Sequence, residues 1–219
     1  RMEQALFKTG GDVAWIRSVF ERWPPVSSVG LAVQASAALA RGDKTAAEPI
    51  ARSAWCRLDL PSSFEDDFLS RLGSLLRTED HVCRLEHLLI THLRGRGARA
   101  SRAGRMRPVI KLLPDTLQPK YTARLSMFLR QPSARDFIEK VPQAQRVGDA
   151  GFAFQYAAWL RRSKKHAAAW DVLAGIGGDA PGLVNRDAWW TERRAQAVNA
   201  LKEKRYKVAF DLVRRAIPD

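Results

Sequence analysis

Cys83 and His87 stand four residues apart, with His81 two residues before the cysteine. Residues four apart share a helix face, so this trio offers one edge of a metal site. Zinc wants three or four protein ligands, usually drawn from more than one element, and nothing else in the chain has ligand spacing. Cys83 and Cys56 therefore read as small core residues, and spacing alone does not bring the two into contact. The carboxylate pairs Asp66-Asp67 and Glu79-Asp80 fall in first helical turns, where they suit the positive end of the helix dipole. Glycoside cleavage needs two carboxylates facing one cleft, and neither pair is placed for that. Phosphate loops of the form G-x-x-x-x-G-K-S/T or G-x-G-x-x-G are absent, Gly95-Arg96-Gly97 is too short, and there is no G-x-S-x-G elbow. No catalytic residue, metal or cofactor is expected.

Binding chemistry is better represented. The chain carries 27 Arg and 10 Lys against 23 acids, a formal charge of +14. Such a balance draws a protein toward nucleic acid, anionic lipid or anionic cell-wall polymer. The densest run is Arg94, Arg96, Arg99, Arg102, Arg105 and Arg107, with no acid between them. From Arg96 to Arg105 an arginine recurs every third residue, which on a helix drifts slowly around one broad face. An anion-binding stripe has this pattern, and so does a solvated face in an Arg-rich chain. No aromatic residue interrupts the run, so the stacking platform of single-strand binders is missing.

Seven tryptophans are the other resource. Trp15, Trp55, Trp159 and Trp170 lie within apolar helical stripes and read as core. Trp189 and Trp190 differ, because adjacent helical residues point about 100° apart. One can be buried while the other lies near the surface with Arg193 and Arg194. Trp beside Arg suits a sugar ring, a partner or an internal cation–π contact.

The elements that would position these residues are helical nearly throughout. Val13, Ile16, Phe20 and Trp23 fall at i, i+3, i+7 and i+10 and are closed by Pro24-Pro25. Ser28 is placed to cap a helix bearing Leu31, Ala35, Ala38 and Leu39. After the turn at Arg41-Gly42-Asp43, residues 44–58 predict another, distorted near Pro49. Ser62 with Glu65 has the spacing of a capping box. Thr78 opens a helix carrying Val82, Leu85, Leu88 and Leu89. Phe152, Tyr156, Trp159 and Leu160 mark another, residues 164–176 the next, and Asn185 or Asp187 can cap a long one. No stretch shows strand alternation bounded by turn signals, and no run of 18 apolar residues suggests a membrane-spanning helix. About a dozen helices are expected.

Internal similarity points to paired helices. Ala168-Ala169-Trp170-Asp171-Val172-Leu173 aligns with Val208-Ala209-Phe210-Asp211-Leu212-Val213 at an offset of 40 residues, and Ala46-Ala47 lies 122 residues before Ala168-Ala169. A period near 40 is that of a two-helix repeat. The fold expected is all-α, a superhelix or solenoid of stacked helix pairs, curved or horseshoe-shaped, forming a single domain over residues 1–219.

Several blocks resemble the helical region of soluble lytic murein transglycosylases. Asn185 to Arg194 (N-R-D-A-W-W-T-E-R-R), followed by Lys204 to Phe210 (K-R-Y-K-V-A-F), is similar to that family's "D-x-W-W-x-E-R-R … A-Y/F" stretch. Ala54 to Asp59 (A-W-C-R-L-D), Phe68 to Leu76, Asp80 to Leu89 and Ala153 to Arg162 resemble its other blocks, in the same order. The resemblance implies a ring- or horseshoe-shaped superhelix, non-catalytic itself, that accompanies a lysozyme-like domain. In that family the catalytic domain cuts peptidoglycan glycan strands without water and leaves 1,6-anhydromuramyl ends. The catalytic Glu-Ser block and Gly-Leu-Met-Gln segment of that domain do not occur here, so no catalytic residue carries over. The resemblance also implies the bacterial periplasm; a start at Arg1-Met2-Glu3-Gln4 reads as a processed or excised chain.

Three functions are therefore weighed. The first is a scaffold for peptidoglycan glycan strands or another anionic polymer, with Trp189, Trp190, Arg193, Arg194, Arg96, Arg99, Arg102 and Arg105 as binding candidates and a protein partner possible. The second is a tetratricopeptide-like adaptor that takes a protein segment. The third is a basic helical repeat that binds nucleic acid.

Overall fold

A computed structural model describes residues 2–91, 95–180 and 182–214. Among them are thirteen α-helices and three short 3-10 segments, with no strand. No helix is long and apolar enough to cross a membrane. The chain divides into two compact units, Arg1–Arg84 and Leu85–Asp219.

The first unit contains α1 (Met2–Thr9), α2 (Val13–Arg22), α3 (Ser28–Ala40), α4 (Lys44–Cys56), α5 (Glu65–Leu72) and the start of α6 (Thr78–Leu89). Asp12 caps α2 by accepting from the Ala14 and Trp15 amides at 2.8 and 3.1 Å. Ser27, one residue before the expected cap, serves α3 by accepting from the Gly30 amide at 2.9 Å. Helices α3 and α4 form the closest pair in this unit, because both present small side chains. Ala32, Ala35 and Ala38 on one, and Ala47, Ala51 and Ala54 on the other, are all buried. Pro49 sits inside α4 without ending it.

Trp55, at the end of α4, is fully buried and stacks on Phe68 with ring centres 5.2 Å apart. The Arg84 guanidinium lies over the Trp55 ring, 4.3 Å from its centre. The Ser62–Glu65 capping box does not form. Ser62–Phe64 is a 3-10 turn with no side-chain cap bond, and Glu65 is drawn inward to pair with Arg84. Trp15 also departs from expectation: it is 47% exposed, and Ile16 carries the buried face of α2.

The second unit contains the end of α6, then α7 (Arg96–Lys111), α8 (Gln118–Leu129), α9 (Ala134–Glu139), α10 (Ala150–Arg162), α11 (His166–Ala174), α12 (Arg186–Lys202) and α13 (Tyr206–Arg214). Asp149 caps α10 by accepting from the Phe152 amide at 2.7 Å. Asn185, not Asp187, caps α12: its Oδ1 accepts from the Ala188 amide while its Nδ2 donates to the Ile90 carbonyl, at 3.1 and 3.0 Å. Phe154, Trp170, Leu173, Trp189 and Leu212 anchor one core cluster; Met127, Ile138 and Phe152 anchor another.

The helix pairs share one turn. Gly42, Arg130, Lys164 and Lys204 all adopt left-handed backbone, with φ of 79°, 61°, 57° and 57°. In each case the next amide donates to the carbonyl five residues back: Asp43 to Ala38, Gln131 to Ser126, Lys165 to Leu160 and Arg205 to Ala200, at 2.8–3.1 Å. This is the Schellman ending of a helix. The turns at Lys164 and Lys204 recur at the 40-residue offset visible in the sequence, and Gly42 sits 122 residues before Lys164. The repeat is thus a property of the backbone as well as of composition.

Candidate functional site

The arginine run becomes helix α7, apart from Arg94, which lies outside the described residues. Ala103, Met106, Val109 and Ile110 form its buried side. Arg96 and Arg107 are exposed, while Arg99, Arg102 and Arg105 are half-buried. The run is therefore not a uniformly solvated face. Arg99 Nε and Arg102 Nη1 are shielded from water and meet no hydrogen-bond partner among the described residues. Burial, and then Arg130 and Arg96, hold Arg99 below the ordinary arginine pKa. Burial and Arg105 do the same to Arg102.

Arg99 also lines a cavity of about 80 Å³ with Arg130, Arg161, Arg162, Gln155 and Glu192. Four guanidinium groups face one carboxylate there. Glu192 is fully buried on α12 and is already committed. Arg161 Nε and Nη2 donate to its two oxygens at 2.8 Å each, and Gln196 adds a third donor at 3.0 Å. Such forked pairing satisfies both partners. Among the described residues Arg162 Nη2 reaches only the Met127 carbonyl, at 3.2 Å. Burial of its guanidinium, then the neighbouring Arg130, with Arg161 and Arg99 adding to the repulsion and Glu192 opposing it, pushes Arg162 down to about 10. Arg130 is exposed, and its left-handed backbone at the end of α8 sets it on the rim.

The tryptophan pair divides between core and surface. Trp189 is buried against Phe154, with ring centres 5.2 Å apart, and Arg193 lies 5.7 Å over its ring. Arg193 is itself buried and donates to the Ile176 carbonyl at 2.5 Å. Of the four candidates in this block, only Trp190, 41% exposed, and Arg194 reach solvent. The structure does not place these two among the residues lining the arginine cavity.

The cysteines are joined. Cys56, at the end of α4, and Cys83 on α6 form a disulfide, with Cα atoms 5.5 Å apart. This corrects the reading of both as plain core residues, and it removes Cys83 as a thiolate ligand. His81 packs edge-on to Trp55 at 5.9 Å, and burial pushes its pKa below the ordinary value, with Asp80 opposing.

Sequence reasoning missed Arg130, Arg161, Arg162, Gln155 and Glu192. Arg161-Arg162 and Glu192 lie inside blocks that carry the family resemblance, but their spacing to α7 is entirely tertiary. No family model, curated protein or solved structure matches this chain.

Proposed function

We propose that this chain is a non-catalytic helical scaffold that holds an anionic polymer. The polymer is peptidoglycan, whose peptide stems carry carboxylates, positioned for a murein transglycosylase domain. The observation that carries this reading is the density of arginine on α7, a helix without a single acid, and the four arginines against one carboxylate around the neighbouring cavity. A line of cations with few local acids gains most from a polyanion, and the gain falls as salt rises. Helix pairs with a repeated turn are what a solenoid of stacked hairpins is made from. The Cys56–Cys83 bond favours an oxidising compartment, as the periplasm is.

The test is retention on purified sacculi at physiological salt. Wild-type protein is expected to sediment with them. The variant Arg96→Ala with Arg107→Ala is expected to sediment several-fold less, because each lost cation removes part of the electrostatic attraction. Failure of the wild type to sediment overturns the reading. The basic charge also admits nucleic acid. A duplex oligonucleotide that binds more tightly than sacculi, with affinity falling steeply as salt rises, would move the assignment there. The disulfide gives a second check: replacing Cys56 and Cys83 by serine is expected to lower stability by roughly 2–4 kcal/mol in denaturant titration. Protein from an oxidising compartment should show no free thiol.

A further inference from the structure

We infer that the cavity between α7, the end of α8 and the end of α10 is a discrete site for a single compact oxyanion, held by Arg99, Arg130 and Arg162. The inference rests on the anionic-polymer reading for the source of the ligand, but not for the site. Four observations lead to it.

First, the charges do not balance. Among the described residues Glu192 is the one acid on the cavity wall, and it is engaged by Arg161 and Gln196. Second, the one amide side chain on the wall is turned to other partners. Gln155 Oε1 accepts from Arg124 Nε at 2.9 Å, and its Nε2 donates to the Leu89 carbonyl at 3.0 Å. Neither of these bonds reaches a rim arginine.

Third, Arg99 Nε is shielded from water and unpartnered among the described residues. A shielded donor without an acceptor costs free energy that an incoming oxygen would recover. Fourth, Phe128 and Phe154 form apolar walls, which lower the local dielectric and strengthen both the present repulsion and the attraction of an anion. Guanidinium groups match the two-oxygen edge of carboxylate and phosphate, and the cavity has room for one such group rather than a chain of sugars. Arg161 is the positioning residue: its fork with Glu192 fixes the back wall and leaves the other three arginines to the ligand.

A carboxylate and a phosphate monoester share this chemistry, and titration calorimetry with the whole chain separates them. The probes are inorganic phosphate, a soluble disaccharide-peptide released from sacculi with its carboxylates free, and the same compound with those carboxylates amidated. One phosphate per chain is expected to bind, and the free-carboxylate compound is expected to displace it while the amidated one does not. Displacement by both would overturn the carboxylate as the source. Arg130→Gly removes the rim guanidinium at a position whose left-handed backbone glycine adopts freely. This variant is expected to keep its melting temperature and to bind phosphate at least tenfold more weakly.

Unchanged binding in Arg130→Gly and Arg99→Gln, or no phosphate binding by the wild type, would overturn the site. Retention on sacculi that depends on Arg96 and Arg107 while phosphate fails to bind would sink the site and spare the scaffold. Phosphate binding without retention on sacculi would do the reverse.

Discussion

Two groups of arginine in the second unit show how differently one residue type is used. Around Arg124 every charge is answered. Arg124 is fully buried and forks onto Glu86, with Nη2 at 2.7 Å from Oε2. Tyr121 donates to the same carboxylate at 2.8 Å, and Asp149 takes Lys120 at 2.8 Å. Burial alone would lower the Arg124 pKa, but Glu86, Tyr121 and Asp149 hold it well above the ordinary value. Around Arg99, Arg130 and Arg162 the balance is reversed: burial first, and then neighbouring arginines, push Arg99 and Arg162 down. The first group is a strut. In the second, Glu192 offsets only part of the repulsion, and the proposed anion would offset the rest. A buried charge is tolerated where its partner is built in, so an unanswered one points outward to function.

The sharpest way to break the contrast is to unpair the strut. Glu86→Ala leaves Arg124 buried without its carboxylate and should cost about 3–5 kcal/mol in denaturant titration. A cost below 1 kcal/mol would mean that Arg124 finds water or another partner. Gly151→Ala attacks the same place sterically. A Cβ there would sit 2.6 and 2.7 Å from the Arg124 guanidinium nitrogens, and closer still to Glu86 Oε2. A loss of roughly 1–3 kcal/mol is expected, with the helix content of α10 retained.

Acid sharpens the comparison further. Burial would raise the Asp149 carboxyl, but Arg124, Lys120 and the Phe152 amide together hold it below the usual range. A carboxylate with a lowered folded pKa contributes its stability above the ordinary 3.8 and loses it as pH falls below that value. Asp149→Asn keeps an acceptor for the Phe152 amide but loses the charge that faces Lys120 and Arg124; it should therefore cost about 1 kcal/mol at neutral pH and should flatten the acid limb of the stability profile. Smallest is Arg96→Ala, which should change stability by no more than about 0.5 kcal/mol while weakening polymer binding. A larger stability effect would place Arg96 among the struts.

Legibility followed range. Caps and turns act over three to five residues, so Asn185 at α12 and the left-handed turns repeated at Lys164 and Lys204 left local traces. The stripe of α2 misled at Trp15 because periodicity says which face is apolar, not whether anything covers it. Ile16 is buried, whereas Trp23 is 61% exposed. The stretches Asp80 to Leu89 and Trp189 to Arg193 offer spaced ligands and binding candidates in the sequence. Their charged members prove to be largely internal: Arg84 with Glu65 and the Trp55 carbonyl, and Glu192 with Arg161. Those partners lie 19 to 31 residues apart in the chain, beyond the reach of any helical pattern.

By itself, the order of residues determined that this chain is helical, strongly basic and built on recurring hairpins, since each of those follows from neighbours within a turn or from a sum over the whole composition. Which of the 27 arginines became struts and which were left facing a cavity was decided only when α6, α8, α10 and α12 came together. Pairing a charge depends on distances between helices, and a carboxylate satisfies only the guanidinium that packing brings within about 3 Å.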